Sequence, residues 1–227
     1  MSRTLGIAIP PRSKYNPFVD MRRFVVALTG GSGAVYGRRL LEVLANTGAT
    51  VHLTLSEAAA KVIAHELAIS LDLTDGPAVV RSLLGNETSN VTVHHYKDLE
   101  VPIASGSYKT DGMVVCPCSG GTLGRIACGA SSNLIERAAD VCLKERRKLI
   151  LVPRETPLSL IHLENMVRLT HAGAIILPAS PGFYSRSDSV NRLVDFVISR
   201  ILDQLGVENT LMQRYGEPVR RKHPEED

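Results

Sequence analysis

Short, continuous apolar runs that alternate with segments of helical spacing constrain the fold of this chain more than any other feature. Residues 24–28 and 149–152 are apolar throughout, which is typical of strands that are covered on both faces. Strands are predicted at residues 24–28, 51–55, 91–95, 112–115, 149–152 and 174–177. Helices are predicted at about 35–46, 79–84, 134–144, 159–170 and 189–205. A further helix is predicted to begin after an N-cap at Ser56 and to run through Leu67.

Two of the predicted helices carry rows of apolar residues, which we expect to face the core. One row consists of Leu160, Leu163 and Val167. The last helix carries the other row, which consists of Val190, Val194, Val197, Ile201 and Leu205. Because strands and helices alternate throughout, the sequence predicts an α/β fold with a Rossmann-like, doubly wound parallel sheet.

The chain of 227 residues is long enough for one large domain. Residues 1–20 are rich in proline and without apolar period, so we interpret them as an N-terminal extension. We assign residues 21–207 to the folded domain and residues 208–227 to a charged C-terminal tail.

Charge and composition exclude several classes of protein. The net charge of +3 and the scatter of basic residues argue against a nucleic-acid partner. No apolar stretch approaches the roughly 20 residues of a membrane helix, so no membrane association is expected. The four cysteines form no paired CxxC motifs, so neither zinc nor disulfides are expected and a cytoplasmic setting is the default.

Small and polar residues follow three of the predicted strands. Gly30-Gly-Ser-Gly33 follows the first, Ser119-Gly-Gly-Thr122 the central one, and Arg154-Glu155 the strand at 149–152. In a parallel sheet these strand ends form the ligand-binding edge. The glycine spacing matches neither the dinucleotide fingerprint nor a P-loop, and it suits a mononucleotide better.

Seven motifs resemble, in order, those of the flavin prenyltransferases of the UbiX type, and the resemblance covers the chain from about Arg23 to Gly206. They are residues 29–37 (TGGSGAVYG), 116–123 (CPCSGGTL), 133–140 (NLIERAAD), 143–147 (LKERR), 151–159 (LVPRETPLS), 161–166 (IHLENM) and 178–184 (PASPGFY). The resemblance implies a flavoprotein that transfers a dimethylallyl group from dimethylallyl phosphate to N5 and C6 of reduced FMN, without a metal. The product, prenylated FMN, would serve a UbiD-type decarboxylase in ubiquinone biosynthesis or in aromatic acid decarboxylation.

The resemblance also implies which residues form the site. The FMN contacts it implies are Gly30, Gly31, Ser32, Ser56, Ser119, Gly120, Gly121, Thr122 and Arg154. The contacts to the prenyl phosphate would be Arg137, Lys144, Tyr184 and Arg200. Ser105 and Gly106 would reach the site of a neighbouring subunit, because family members are homo-oligomers, with a dodecamer as one candidate assembly.

Glu155 matches the family's catalytic carboxylate, and the hypothesis is that it relays protons between the leaving phosphate and the flavin. Ser32 and Glu66 match positions near flavin N5 or the substrate. Gly31 stands where the family usually has alanine, and we expect FMN binding to survive this change.

Two other functions stay open at this point. An FMN-dependent cysteine-type decarboxylase shares the broad fold but depends on an active-site histidine, for which His52, His94 and His95 are the candidates. A non-catalytic FMN carrier subunit would keep the glycine and serine contacts, but it would have no need for Lys144 or Glu155.

Overall fold

The computed structural model describes residues 22–183 and 189–212. Within them lie six strands: β1 (Arg23–Leu28), β2 (Thr50–Leu55), β3 (Val91–His95), β4 (Gly112–Cys118), β5 (Leu149–Pro153) and β6 (Ile175–Ile176). The same residues form seven α-helices: α1 (Ala34–Asn46), α2 (Glu57–Leu67), α3 (Gly76–Leu84), α4 (Gly120–Ala127), α5 (Leu134–Lys144), α6 (Leu160–His171) and α7 (Val190–Leu205). The predicted extension at residues 1–20, Tyr184 and most of the predicted tail lie outside the described residues.

The strands form one parallel sheet in the order β3-β2-β1-β4-β5-β6. Phe24 of β1 pairs with Val51 of β2 on one side and with Gly112 of β4 on the other. The predicted doubly wound sheet is therefore confirmed. The strand order reverses between β1 and β4, and in such sheets the ligand crevice opens beyond the carboxyl ends of these two strands.

Successive residues of β1 point to opposite faces of the sheet, and each face carries its own apolar core. Phe24, Val26 and Leu28 lie in the core that α1, α2, α3 and α7 cover. Val25 and Ala27 lie in the core that α4, α5 and the inner side of α6 cover. Both faces are buried, which explains why the strand sequences are continuously apolar.

The structure corrects several boundaries. β4 continues through Pro117 to Cys118, α3 begins at Gly76 rather than near residue 79, and the strand predicted at 174–177 has only two residues. A 3-10 turn at Pro102–Ala104 begins the loop predicted at residues 102–110. Periodicity alone did not define these ends, because the strand ends depend on pairing with neighbouring strands, and α3 begins after a cap at Asp75, whose side chain accepts from the N–H of Ala78 at 3.0 Å.

The prediction for the apolar row of α6 was wrong. Leu160 is 69% exposed, Leu163 45% and Val167 57%, whereas Leu169 is buried. Val190, expected to begin the buried row of α7, is also 70% exposed, although the other four members of that row are buried. Spacing identifies an apolar face, but it does not reveal whether the same chain covers that face.

No helix in the described ranges is both long enough and apolar enough to cross a membrane.

Candidate functional site

Thr29 joins the ends of β1 and β4. Its hydroxyl donates to the carbonyl oxygen of Pro117 at 2.8 Å and accepts from the N–H of Ser119 at 2.8 Å. The backbone N–H of Thr29 also donates to the Pro117 oxygen at 3.2 Å. Thr29 is 2% exposed, so these bonds are shielded from water. They hold the two glycine-containing turns side by side at the crevice.

These two turns present hydrogen-bond donors that the rest of the described chain does not use. The N–H groups of residues 30–32 and of residues 120–121 donate to no described residue. A Cβ on Gly31 would lie 3.4 Å from the N of Ser119, so the two turns approach each other closely. Unpaired N–H groups beside hydroxyls suit the polar edge of a flavin ring or a phosphate, so the residues present fit FMN.

Gly37 was not selected as a site residue, yet it sets the position of α1. A Cβ there would lie 2.5 Å from the carbonyl oxygen of Cys116 and 2.8 Å from the Leu28 side chain. Glycine therefore lets α1 pack directly on β1 and β4. The signal in the sequence was a glycine in the first turn of a predicted helix, because the absence of a side chain there allows the helix to pack closely on the sheet.

Serines begin the two helices whose N-termini line the crevice. The hydroxyl of Ser119 accepts from the N–H of Thr122 at 3.3 Å at the start of α4. Ser56 accepts from the N–H of Ala59 at 3.1 Å at the start of α2, which confirms the predicted N-cap.

Glu66 lies at the N-terminus of α1, beside Ser32. Its carboxylate accepts from the N–H of Gly33 at 2.9 and 3.1 Å and from the N–H of Ala34 at 2.8 Å. Burial raises the pKa of Glu66, but hydrogen bonds from Ser32, Ala34 and Gly33, together with the charge of Arg154, leave it below its ordinary value. The negative charge of Glu66 already occupies this helix end, so a ligand phosphate belongs elsewhere in the crevice.

Arg154 extends from the end of β5 to the turn after β1. Its Nε donates to the carbonyl oxygen of Ser32 at 2.9 Å, and its two Nη groups have no partner among the described residues. Arg154 and Glu155 are both exposed, and neither forms an ion pair with a described residue. A fixed cation and an unpaired carboxylate thus stand next to each other at the ligand edge.

A second cluster lies on α5 and the loop at residues 102–110. Arg137 donates to the carbonyl oxygen of Ala104 at 2.9 Å and pairs with Asp140 at 3.1 Å. A Cβ on Gly106 would lie 2.6 Å from the Nζ of Lys144. The structure therefore brings together four predicted substrate contacts, namely Ser105, Gly106, Arg137 and Lys144.

Arg147 also belongs to this cluster, although the sequence prediction did not include it. Its guanidinium donates to the carbonyl oxygens of Tyr108 at 2.7 Å and Gly106 at 2.5 Å. It fixes the loop that carries Ser105 and Gly106 against α5. The signal was its place in the Leu143–Arg147 motif.

Arg200 does not join the other predicted phosphate contacts within this chain. It lies on α7, which covers the opposite face of the sheet from α5. Its guanidinium pairs with Asp203 at 3.6 Å and stacks 5.8 Å from the Phe196 ring. Motif order along a chain carries no information on which face of the sheet a helix covers. Tyr184, the fourth contact, is outside the described residues.

Two of the three candidate histidines of the rival decarboxylase, His52 and His94, belong to a structural cluster, whereas His95, at the end of β3, accepts from the N–H of Lys97 at 3.3 Å. His52 Nδ1 lies 2.8 Å from His94 Nε2, and His52 Nε2 lies 2.9 Å from the Tyr108 hydroxyl. Burial, with the charges of His94 and Arg23, lowers the pKa of His52 to about 4. His52 sits within β2 rather than beyond a strand end, and its two ring nitrogens are both engaged.

The described part of the chain contains no group of three or more His, Cys, Asp or Glu residues arranged to hold a metal ion.

Comparison with known proteins gives consistent matches along most of the chain. Residues 13–202 match the family described as Flavoprotein. Over 194 residues the chain is 50% identical to the flavin prenyltransferase UbiX of Halalkalibacterium halodurans, a match that covers 86% of this chain and 93% of that protein.

Two solved structures have the same architecture. The crystal structure of AnUbiX (PadA1), in complex with FMN and dimethylallyl pyrophosphate, matches with a TM-score of 0.78 and 41% identity, covering 87% of this chain and 99% of that one. The dodecameric FMN-dependent Ubix-like decarboxylase of Escherichia coli O157:H7 matches with a TM-score of 0.77 and 39% identity, covering 86% and 100%.

Proposed function

The chain belongs to the flavin prenyltransferases of the UbiX type, and from this we propose that it transfers a dimethylallyl group from dimethylallyl phosphate to N5 and C6 of reduced FMN. The observation that carries the proposal is the crevice between β1 and β4. There, N–H groups of two turns have no partner among the described residues, Arg154 contacts the first of these turns, and Glu155 follows it in the chain. Reduced FMN supplies the nucleophilic positions, and the protein supplies binding, charge and proton transfer.

We assign the flavin to the Thr29–Ser119 side of the crevice. The N–H groups of residues 30–32 and 120–121, together with the Thr122 hydroxyl, offer donors to its polar ring edge, and Ser119 donates to that hydroxyl and holds it in place. Ser56 and the Nη groups of Arg154, which have no partner in the described part of the chain, would hold its phosphate, since Glu66 already occupies the N-terminus of α1. Gly31 adds no side chain to this surface and leaves the close approach intact.

The leaving phosphate would be held by cations rather than by a metal ion. Arg137 and Lys144 lie beside the loop that carries Ser105 and Gly106. Fixed positive charges stabilise a departing phosphate as its negative charge develops. We therefore propose that the reaction is metal-independent.

The donor site is completed, in this proposal, by a second copy of the chain. Arg200 lies on the opposite face of the sheet from Arg137, so the two reach one phosphate only across a subunit boundary. The related Escherichia coli protein is a dodecamer, which supports a homo-oligomer here. The exposed leucines of α6 give the chain an apolar face that assembly would cover.

Glu155 is assigned as the proton relay between the leaving phosphate and the flavin. It is exposed at the ligand edge and has no ionic partner among the described residues, so its carboxylate is available to a bound substrate. Ser32 and Glu66 are assigned to the neighbourhood of flavin N5, where their mutual hydrogen bond orients the turn.

The product would pass to a UbiD-type decarboxylase in the cytoplasm. The test is a coupled assay with a flavin-free decarboxylase of that type and an aromatic acid. We expect carbon dioxide only when this chain, reduced FMN and dimethylallyl monophosphate are all present, and we expect EDTA to have no effect. Replacing the monophosphate with the diphosphate then measures the donor preference. Activation by plain FMN without this chain would contradict the proposal.

The two alternatives are not favoured. A cysteine-type decarboxylase would need a histidine at the crevice, whereas His52 is tied to His94 and Tyr108 within the fold. A passive FMN carrier gives no reason for Arg137 and Lys144 to line a common loop.

A further inference from the structure

Glu136 is a buried carboxylate for which the proposed reaction gives no role. Its side chain is fully buried in the first turn of α5, and it accepts from Arg125 Nε, from the N–H of Ser132 at 2.9 Å and from Asn133 Nδ2 at 2.8 Å. Burial raises its pKa, but these hydrogen bonds leave the pKa below the ordinary value, so the group is ionised at neutral pH. A buried charge with a complete set of partners fixes the groups around it.

The guanidinium of Arg125 connects Glu136 to the flavin side of the crevice. Its Nη2 donates to the hydroxyl oxygen of Thr122 at 3.2 Å. The Arg125 side chain is 51% exposed, so its long, flexible stem does not fix its direction by packing alone. The carboxylate of Glu136 supplies that direction.

The hydroxyl oxygen of Thr122 receives two hydrogen bonds. Ser119 Oγ donates to it at 3.1 Å, and Arg125 donates to it from the other side. A hydroxyl has two lone pairs and one proton. With both lone pairs occupied, the proton of Thr122 remains to be donated to a further acceptor.

We propose that Glu136 and Arg125 are positioning residues that set the Thr122 hydroxyl as a hydrogen-bond donor to an acceptor atom on the polar edge of the flavin ring. This inference rests on the proposed function, which places the flavin at Ser119–Thr122. Reduced flavin carries its excess negative charge on that edge, so the donor favours reduced FMN over oxidised FMN. The pair therefore acts on affinity and reduction potential without touching the substrate.

The test compares full-length variants by their dissociation constants for reduced and oxidised FMN and by the visible spectrum and reduction potential of the bound flavin. Thr122→Val removes the hydroxyl directly. We expect Glu136→Gln to weaken binding of reduced FMN by about fivefold to tenfold, the equivalent of one net hydrogen bond, with a smaller effect on oxidised FMN. Adding Glu136→Gln to Thr122→Val should cause no further loss of affinity for reduced FMN, since both changes act through the Thr122 hydroxyl.

Asp195→Asn is the matched control. Asp195 pairs with Arg39 at 2.7 Å between α1 and α7, on the opposite face of the sheet. Its loss should lower the melting temperature and leave the spectrum and potential of bound flavin unchanged. If Glu136→Gln behaves in the same way as this control, the positioning role is wrong.

The Glu136 carboxylate is buried, and removing one member of its ion pair can prevent folding, so a double variant keeps the test decisive. Arg125→Met with Glu136→Gln removes both charges at once and keeps a side-chain oxygen that can accept from the N–H of Ser132. We expect this variant to fold and to show the same spectral and affinity changes as Thr122→Val. Unchanged flavin properties would overturn the inference. Wild-type protein that fails to bind FMN would instead overturn the proposed function itself.

Discussion

The Thr29 hydroxyl accepts a hydrogen bond from the N–H of Ser119 at 2.8 Å, although the two residues are 90 positions apart in the chain. This bond joins the turn after β1 to the turn after β4. The two sets of N–H groups that we assign to FMN therefore depend on one buried side chain for their spacing.

Thr29→Val should weaken both the fold and the site. Valine has nearly the same shape but leaves the partly buried N–H of Ser119 without its acceptor, so we expect the free energy of unfolding to fall by about 1–3 kcal/mol. Urea unfolding measures this, and FMN titration should show weaker binding. Thr29→Ser keeps the hydroxyl and is the control. A valine variant as stable as the serine variant would show that the bond contributes little.

Gly31→Ala should be tolerated, because the new Cβ would meet its nearest neighbour, the N of Ser119, at 3.4 Å. Removing backbone freedom from the unfolded chain should raise the free energy of unfolding by about 0.4–1 kcal/mol. Gly37→Ala is the contrast, since its Cβ would lie 2.5 Å from the Cys116 oxygen. We expect this change to lower the free energy of unfolding by about 1–3 kcal/mol. Equal melting temperatures for the two variants would contradict this account.

His52 should make the fold sensitive to mild acid. In the folded chain burial, with the charges of His94 and Arg23, lowers the pKa of His52 to about 4 from an ordinary 6.5. Burial also lowers the pKa of His94. The unfolded chain therefore binds protons at a higher pH than the folded chain does. The stability that neutral His52 contributes is complete above pH 6.5 and is lost as the pH falls towards 4.

The check is the free energy of unfolding of the wild type and of His52→Gln between these two pH values. We expect the curve of the variant to be flatter there. His65→Gln, at an exposed position on α2, is the control and should run parallel to the wild type. Parallel curves for wild type and His52→Gln would mean that His52 titrates in the same way in both states.

Glu155→Gln should leave FMN binding unchanged and slow prenyl transfer by about 10²- to 10⁴-fold, the usual contribution of a general acid–base group. Titration with FMN and single-turnover kinetics separate the two effects. Glu164→Gln removes another exposed carboxylate a short distance along the chain, on α6, and should turn over normally. Turnover of Glu155→Gln at the wild-type rate would refute the assigned relay.

Local features of this protein were predictable from the sequence, and contacts between distant segments were not. The apolar runs predicted the parallel sheet because both faces of it are buried, and the N-cap at Ser56 followed from local chemistry. The cap that Glu66 places on α1 involves residues 32 and 33 positions apart, so no local pattern indicated it.

In the candidate site, too, local features were predictable from the sequence and contacts between distant segments were not. The turns containing Gly31 and Ser119 were predicted at one edge because parallel strands end together there. Arg200 lies on α7, which covers the opposite face of the sheet from the helix that carries Arg137. The order of motifs along the chain does not specify which face each helix covers. The exposed Leu160 likewise looked like a core residue, because spacing shows an apolar face without showing what covers it.

The mass of the flavin released after anaerobic incubation with reduced FMN and dimethylallyl monophosphate tests the central claim most directly. We expect the wild type and Glu164→Gln to form a flavin that is heavier than FMN by one five-carbon prenyl unit. The amount of this product should be far smaller with Glu155→Gln. Release of unmodified FMN from wild-type protein that binds both compounds would contradict prenyl transfer.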